Sequence, residues 1–180
     1  MFLVCFAALA EVFLDFFLSL FESLRVQLGA TFTGDTVNMF LTLVGGNQLA
    51  SVIMKDQNTG AEFTSKFISL LRIIVEEPGK SMDKFVPNVI SLCIQQLCPL
   101  ISSGSKAATH ISPSFYDLVR SILLSQWKYF FPLSAVSAAA FQMDRQSPTQ
   151  SASQTTGQLD EFRSLLEVCV QHTFHLVSWI

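Results

Sequence analysis

Apolar residues recur every three or four positions along most of this chain, and nowhere do they alternate over a useful length. The clearest stretch is Phe63, Phe67, Leu70, Leu71, Ile74 and Val75, a spacing that matches one face of an α-helix. Strands would need a period of two, so the pattern predicts an all-α fold. The same period predicts helices over about 3–28, 35–54, 61–77, 83–101, 113–131 and 133–143, and a final one from 159 to the end. Punctuation agrees with these limits. Gly29, Gly45-Gly46, Pro78-Gly79, Pro99 and Pro132 are stops. Thr59 with Glu62 reads as a capping box, and Ser112-Pro113 as an N-cap followed by proline at the first helical position.

The helices come in pairs joined by short turns, and successive pairs start about 50 to 58 residues apart. That is a little above the 40 to 47 of ordinary HEAT repeats. Helix pairs of this kind predict an α-solenoid of HEAT-like antiparallel pairs over residues 1–143. Residues 144–158 include the uncharged tract QSPTQSASQTTGQ, which is expected to be a flexible Ser/Thr/Gln-rich loop. Residues 159–180 are expected to begin a further repeat, cut short at Ile180.

Composition bears on what surrounds such an array. Of the 180 residues 50% are apolar and only 14% charged, against a usual charged share of about 25%. Disorder is excluded, because it needs low hydrophobicity and high net charge. So few charges cover a free-standing body poorly, which fits a piece of a longer array whose neighbours bury the surplus. Such a piece is expected to fold poorly alone. The net charge is −3 and no basic cluster occurs, which argues against nucleic acid as a partner.

Phe2 to Phe21 resembles a membrane span by hydropathy. Thirteen Phe, Leu and Val there recover about 0.3 to 0.6 kcal/mol each, and Glu11 and Asp15 cost roughly 2.5 to 3.5 each, so the sum lies near zero. Periodicity is more informative. Glu11, Asp15, Ser19 and Glu22 form one helical stripe, while Phe13, Phe16, Phe17, Leu20, Leu24 and Leu28 form another. No basic residue precedes the run, so the pattern favours a core helix with one wet edge over a signal peptide or an inserted span.

Signatures of catalysis are absent. The chain has no GxxxxGK[ST] loop, GxGxxG turn, GxSxG elbow or HExxH. Cys5, Cys93, Cys98 and Cys169 each lie in an apolar helical pattern, where cysteine acts as a small buried hydrophobe. Cys169, His172 and His175 step by three, which drifts around a helix and lacks a fourth zinc ligand. Glu76-Glu77 belongs to a solvated helix end. Trp127 to Phe131 is the densest aromatic patch, read as repeat-to-repeat packing ahead of a peptide groove. No catalytic, cofactor-binding or metal-ligating residue is therefore assigned, and a binding or scaffold protein is expected.

Three stretches then carry a resemblance: FLDFFLSLFESLRVQLGATFT (13–33), FISLLRIIVEEPG (67–79) and FVPNVISLCIQQLCP (85–99), with SQWKYFF (125–131) in matching order. Together they resemble the importin-β-like nuclear transport receptors, and among these the actin-exporting branch of the exportins. The similarity covers about residues 10–132 and rests on the order of helices, with Met1 to Leu9 standing outside it. It implies a non-enzymatic carrier that shuttles between nucleus and cytoplasm. Its implied partners are Ran-GTP, actin with profilin as cargo, and Phe-Gly nucleoporins, with no membrane insertion. Two readings from the residues alone stay open beside it: a HEAT-like scaffold without a transport role, and a small membrane-anchored helical protein.

Overall fold

A computed structural model describes residues 2–24, 27, 29–44, 57–76, 83–131 and 151–177. All described elements are helical. In order they are α1 (Phe2–Leu24), α2 (Gly29–Val44), α3 (Gln57–Val75), α4 (Asp83–Ser102), α5 (Lys106–Ser125), α6 (Trp127–Phe130) and α7 (Ser151–Val177). The chain divides into two compact units, Met1–Ser121 and Ile122–Ile180.

In the first unit α3 is the central helix. Phe63, Phe67, Ile68, Leu70, Leu71, Ile74 and Val75 are all buried, as are Gly60, Ala61 and Thr64. The Thr64 hydroxyl donates to the Gly60 carbonyl, so the one buried polar side chain of this helix is satisfied within its own turn. Phenylalanines tie the neighbouring helices to α3. Phe17 of α1 meets Phe40 of α2 edge-on at 5.6 Å between centroids, and Phe40 meets Phe67 at 6.4 Å. Phe63 stacks on Phe67. Aromatic pairs at such distances add about 0.5 to 1.5 kcal/mol each beyond the burial of their area.

Direction follows from cross-helix partners. Glu62, Ser65, Arg72 and Glu76 of the α3 segment meet His110, Ser114, Asp117 and Ser121 of α5, in rising order on both sides. Thus α3 and α5 run parallel. The helix between them, α4, returns the chain across roughly 30 Å and so runs antiparallel to both. α1 packs along the other side of α3. The starts of α1, α3 and α5 fall at residues 2, 57 and 106, a period of roughly 50 residues. A β-carbon at Gly34 of α2 would lie 3.5 Å from Phe85 Cζ, so α2 and α4 meet near their N-terminal ends. Two layers of helices joined in antiparallel pairs give the all-α, HEAT-like solenoid class that the periodicity predicts.

Several local expectations are corrected. α3 begins at Gln57, so Thr59 lies inside it and does not cap it. α5 begins at Lys106 and carries Pro113 internally. Its cap is Ser105, whose Oγ accepts from the Ala108 N–H at 3.1 Å. The helix continues through Pro113, which has no N–H for the Thr109 carbonyl; one residue earlier Ser112 Oγ donates back to the Ala108 carbonyl. Pro99 does not end α4. A π turn over Cys93–Leu97 widens the helix just before it, and the chain continues to Ser102. Gly29 takes a left-handed φ of 73° but opens α2 instead of closing α1.

The expected core stripe of α1 is rotated. Leu14 and Phe21 are buried, whereas Leu9, Val12, Phe13 and Phe16 are 50–66% exposed, because α3 covers one side of α1 only. In the second unit α7 starts at Ser151, so residues 151–158 of the expected loop are helical. Gln is a good helix former, and the strong apolar period after Leu159 carries the helix back into this tract. Residues 144–150 and the expected helix 133–143 lie outside the described residues, as does the Gly45-Gly46 break.

Among the described residues, α4 is long and apolar enough to cross a membrane by length and composition. Its Val89, Ile90, Cys93 and Leu97 are fully buried within the protein.

Two substitutions check this packing by chemical denaturation. Phe67→Ala should cost about 3 to 5 kcal/mol, the range for a buried aromatic, while Phe16→Ala should stay within about 0.5 kcal/mol. Ser105→Ala should cost about 1 kcal/mol through loss of the α5 cap.

Candidate functional site

Burial of α3 on most of its circumference leaves one wet edge, formed by Glu62, Ser65, Lys66, Ser69 and Arg72. These residues step by three and four, so they share one stripe. The stripe lies between α1 and α5, and its side chains bind both. Lys66 Nζ donates to Glu11 Oε1 at 2.8 Å and to Asp15 Oδ2 at 2.9 Å, and stands 3.9 Å from Glu62. Glu62 Oε2 is 3.0 Å from His110 Nε2. Further along, Ser65 Oγ and Ser114 Oγ are 2.6 Å apart. Arg72 makes longer ionic contacts with Glu76 and Asp117 at 3.8 and 3.7 Å, and Ser121 Oγ donates to Glu76 Oε1 at 2.7 Å. The result is a polar ladder that crosses three helices.

Lys66 is its hub. Partial burial, the largest single influence, disfavours its charge. The hydrogen bonds from Glu11 and Asp15 and their negative charge outweigh that and raise the lysine above its ordinary 10.5. The acidic stripe of α1 is thus half engaged: Glu11 and Asp15 meet Lys66, while Ser19 and Glu22 stay exposed. Glu76 is exposed at the helix end, as the sequence suggests, but it also anchors Ser121, a long-range link that no local pattern could reveal.

A small open cavity of about 250 Å³ lies between the first turns of α3 and α5, lined by Gln57, Asn58, Glu62, Lys106 and His110 among others. Its polar groups are spent on each other where Glu62 meets His110. Among the described residues no cluster of three or more potential metal ligands occurs. Cys93 is buried and Cys98 and Cys169 are half-buried; the side chains of Cys5, His172 and His175 lie outside the described residues. The chemistry this surface offers is recognition and register, by charge and hydrogen bonds over a broad face.

In the second unit the aromatic run divides by role. Phe130 is buried, and it and Phe131 meet Phe162 of α7 at 5.3 and 5.1 Å. Tyr129 Oη donates to Glu161 Oε2 at 3.0 Å, and burial followed by that bond pushes its phenol up to about 12. Trp127 stays 45% exposed under the Lys128 ammonium.

The ladder yields a pH prediction. Because the folded Lys66 pKa is raised, its contribution to stability is fully present below pH 10.5 and is lost as pH rises through the raised value. Lys66→Met should destabilise by about 0.2 to 1 kcal/mol near neutral pH, less in high salt. It should also remove that alkaline loss in denaturation curves recorded across pH 9 to 12.

No family model matches the chain, and no solved structure matches it. Curated relatives do. Exportin-6-A of Xenopus laevis is 34% identical over 144 residues, which is 80% of this chain and 12% of the relative. Exportin-6 of Homo sapiens is 32% identical over 150 residues, 81% of this chain and 13% of the relative. Exportin-6 of Dictyostelium discoideum is 35% identical over 118 residues, 66% of this chain and 11% of the relative. The chain thus spans about one eighth of the length of the relatives it matches. One group of proteins recurs in vertebrates and an amoeba, over most of these helices, and by that likeness the chain belongs to the exportin family, beside exportin-6.

Proposed function

We propose that this chain works as a segment of a nuclear export receptor that carries protein cargo out of the nucleus together with Ran-GTP. The observation that carries the reading is the identity of about one third with exportin-6 over four fifths of the chain. The helical layers support it, since such receptors act through extended surfaces and need no catalytic group. The chain is accordingly no enzyme. Residues 1–143 supply successive helix pairs, and the final helix opens a further one. Actin, as its complex with profilin, is the proposed cargo, Phe-Gly nucleoporins are the proposed pore contacts, and the receptor shuttles between nucleus and cytoplasm.

Capture from extract with the full-length natural chain tests this. Immobilised protein is loaded with Ran in its GTP or GDP form, and retained proteins are identified. Actin and profilin should be held with Ran-GTP and released with Ran-GDP. Another cargo held in the same way would leave an export receptor with a different load. Retention indifferent to the nucleotide would favour a HEAT-like scaffold with no transport role.

A further inference from the structure

The stretch CIQQLC places two thiols five residues apart, at Cys93 and Cys98. In a regular α-helix that spacing puts them about 140° apart around the axis, with α-carbons about 9 Å apart. A disulfide tolerates at most about 7 Å. The π turn changes this. Cys93–Leu97 is the π segment, and the Cys98 N–H donates to the Cys93 carbonyl across it. A hydrogen bond between these two groups confines their α-carbons to within about 7 Å, one above the other. Neither thiol is in a disulfide. Cys93 is fully buried and Cys98 half-buried, so the second is the one an oxidant meets first.

We propose that Cys93 and Cys98 form a redox-sensitive clasp whose disulfide locks the π turn of α4. The oxidant class is a hydroperoxide, with hydrogen peroxide as the simplest case. The Cys98 thiolate attacks one peroxide oxygen, the O–O bond breaks, and with one proton taken up a sulfenic acid and one water result. The Cys93 sulfur then attacks the sulfenic sulfur. The S–S bond forms, the S–O bond breaks, and the departing hydroxide takes the Cys93 proton as a second water. Overall, two thiols and one peroxide give one disulfide and two waters. Burial and the adjacent Cys98 raise the Cys93 thiol, which keeps it out of the first step.

The consequence is mechanical. Returning the π turn to α-helix would rotate everything after it by about one residue, or about 100°. Cys98–Ser102 would turn, and with it the Ser103–Ser105 connection that ends in the α5 cap. Only the π register brings the two α-carbons within the disulfide range, so on this proposal oxidation fixes the junction of α4 with α5 and reduction frees it. This inference is independent of any transport role.

The test uses the full-length natural protein in its native state, treated with hydrogen peroxide, blocked at remaining thiols and cleaved with trypsin. Both cysteines fall in the peptide Phe85–Lys106. The expected result is loss of two hydrogens in that peptide, reversed by dithiothreitol and absent from Cys98→Ser. Pro99→Ala, which lets the α-helix run on, should lower the yield of the bridge while leaving Cys98 as open to alkylation. Recovery of Cys98 as sulfinic or sulfonic acid beside an unmodified Cys93 would overturn the proposal. So would a bridge yield unchanged by Pro99→Ala.

Discussion

Burial of α3 on nearly every side is the constraint from which the rest of the first unit follows. A helix flanked by α1 and α5 and backed by Phe40 has one strip left for polar groups. Its sequence puts Glu62, Ser65, Lys66, Ser69 and Arg72 there and large apolar residues elsewhere. Burying a Phe or Leu side chain is worth about 1.5 to 3 kcal/mol, whereas an exposed ion pair gives about 0.2 to 1. Stability therefore resides in Phe67, Leu70, Leu71 and their neighbours. The ladder contributes mostly choice: a slide of α5 by one turn would part His110 from Glu62 and Ser121 from Glu76 together.

That division of labour suits a protein that acts by shape. Successive helices at a period of roughly 50 residues extend a surface without needing a cavity at its centre, and their polar edge sets how each helix meets the next. Apolar residues left exposed on α1, such as Phe13 and Phe16, show the same principle from its uncovered side. Where a neighbour covers a helix its apolar face is core; where none does, the face stays open.

Much of the architecture was legible in the sequence because period and polarity are local. The apolar stripe of α3 and the wet residues Glu11 and Asp15 of α1 could be read directly. Boundaries were less legible, because they depend on hydrogen bonds that short motifs only permit. Ser112-Pro113 has the chemistry of a helix start, yet Ser105 caps the helix two turns earlier and Pro113 lies inside it. The π turn leaves almost no trace in composition: Pro99 marks a problem for the helix, and both ending and widening solve it. The ladder was illegible for a different reason. Its pairs lie 45 to 55 residues apart, and only the fold brings Lys66 to Glu11 or Ser65 to Ser114.

The parallel register of α3 against α5 is the central structural claim, and one cross-linking measurement tests it directly. Ser65 Oγ and Ser114 Oγ stand 2.6 Å apart, so Ser65→Cys with Ser114→Cys should form a disulfide under mild oxidation. Ser65→Cys with Ser121→Cys, two turns out of register, should not. Bridging of the first pair alone, read by mass spectrometry in the full-length natural protein, is the predicted result. Bridging of the second pair in preference to the first would contradict the parallel stack and the ladder built on it.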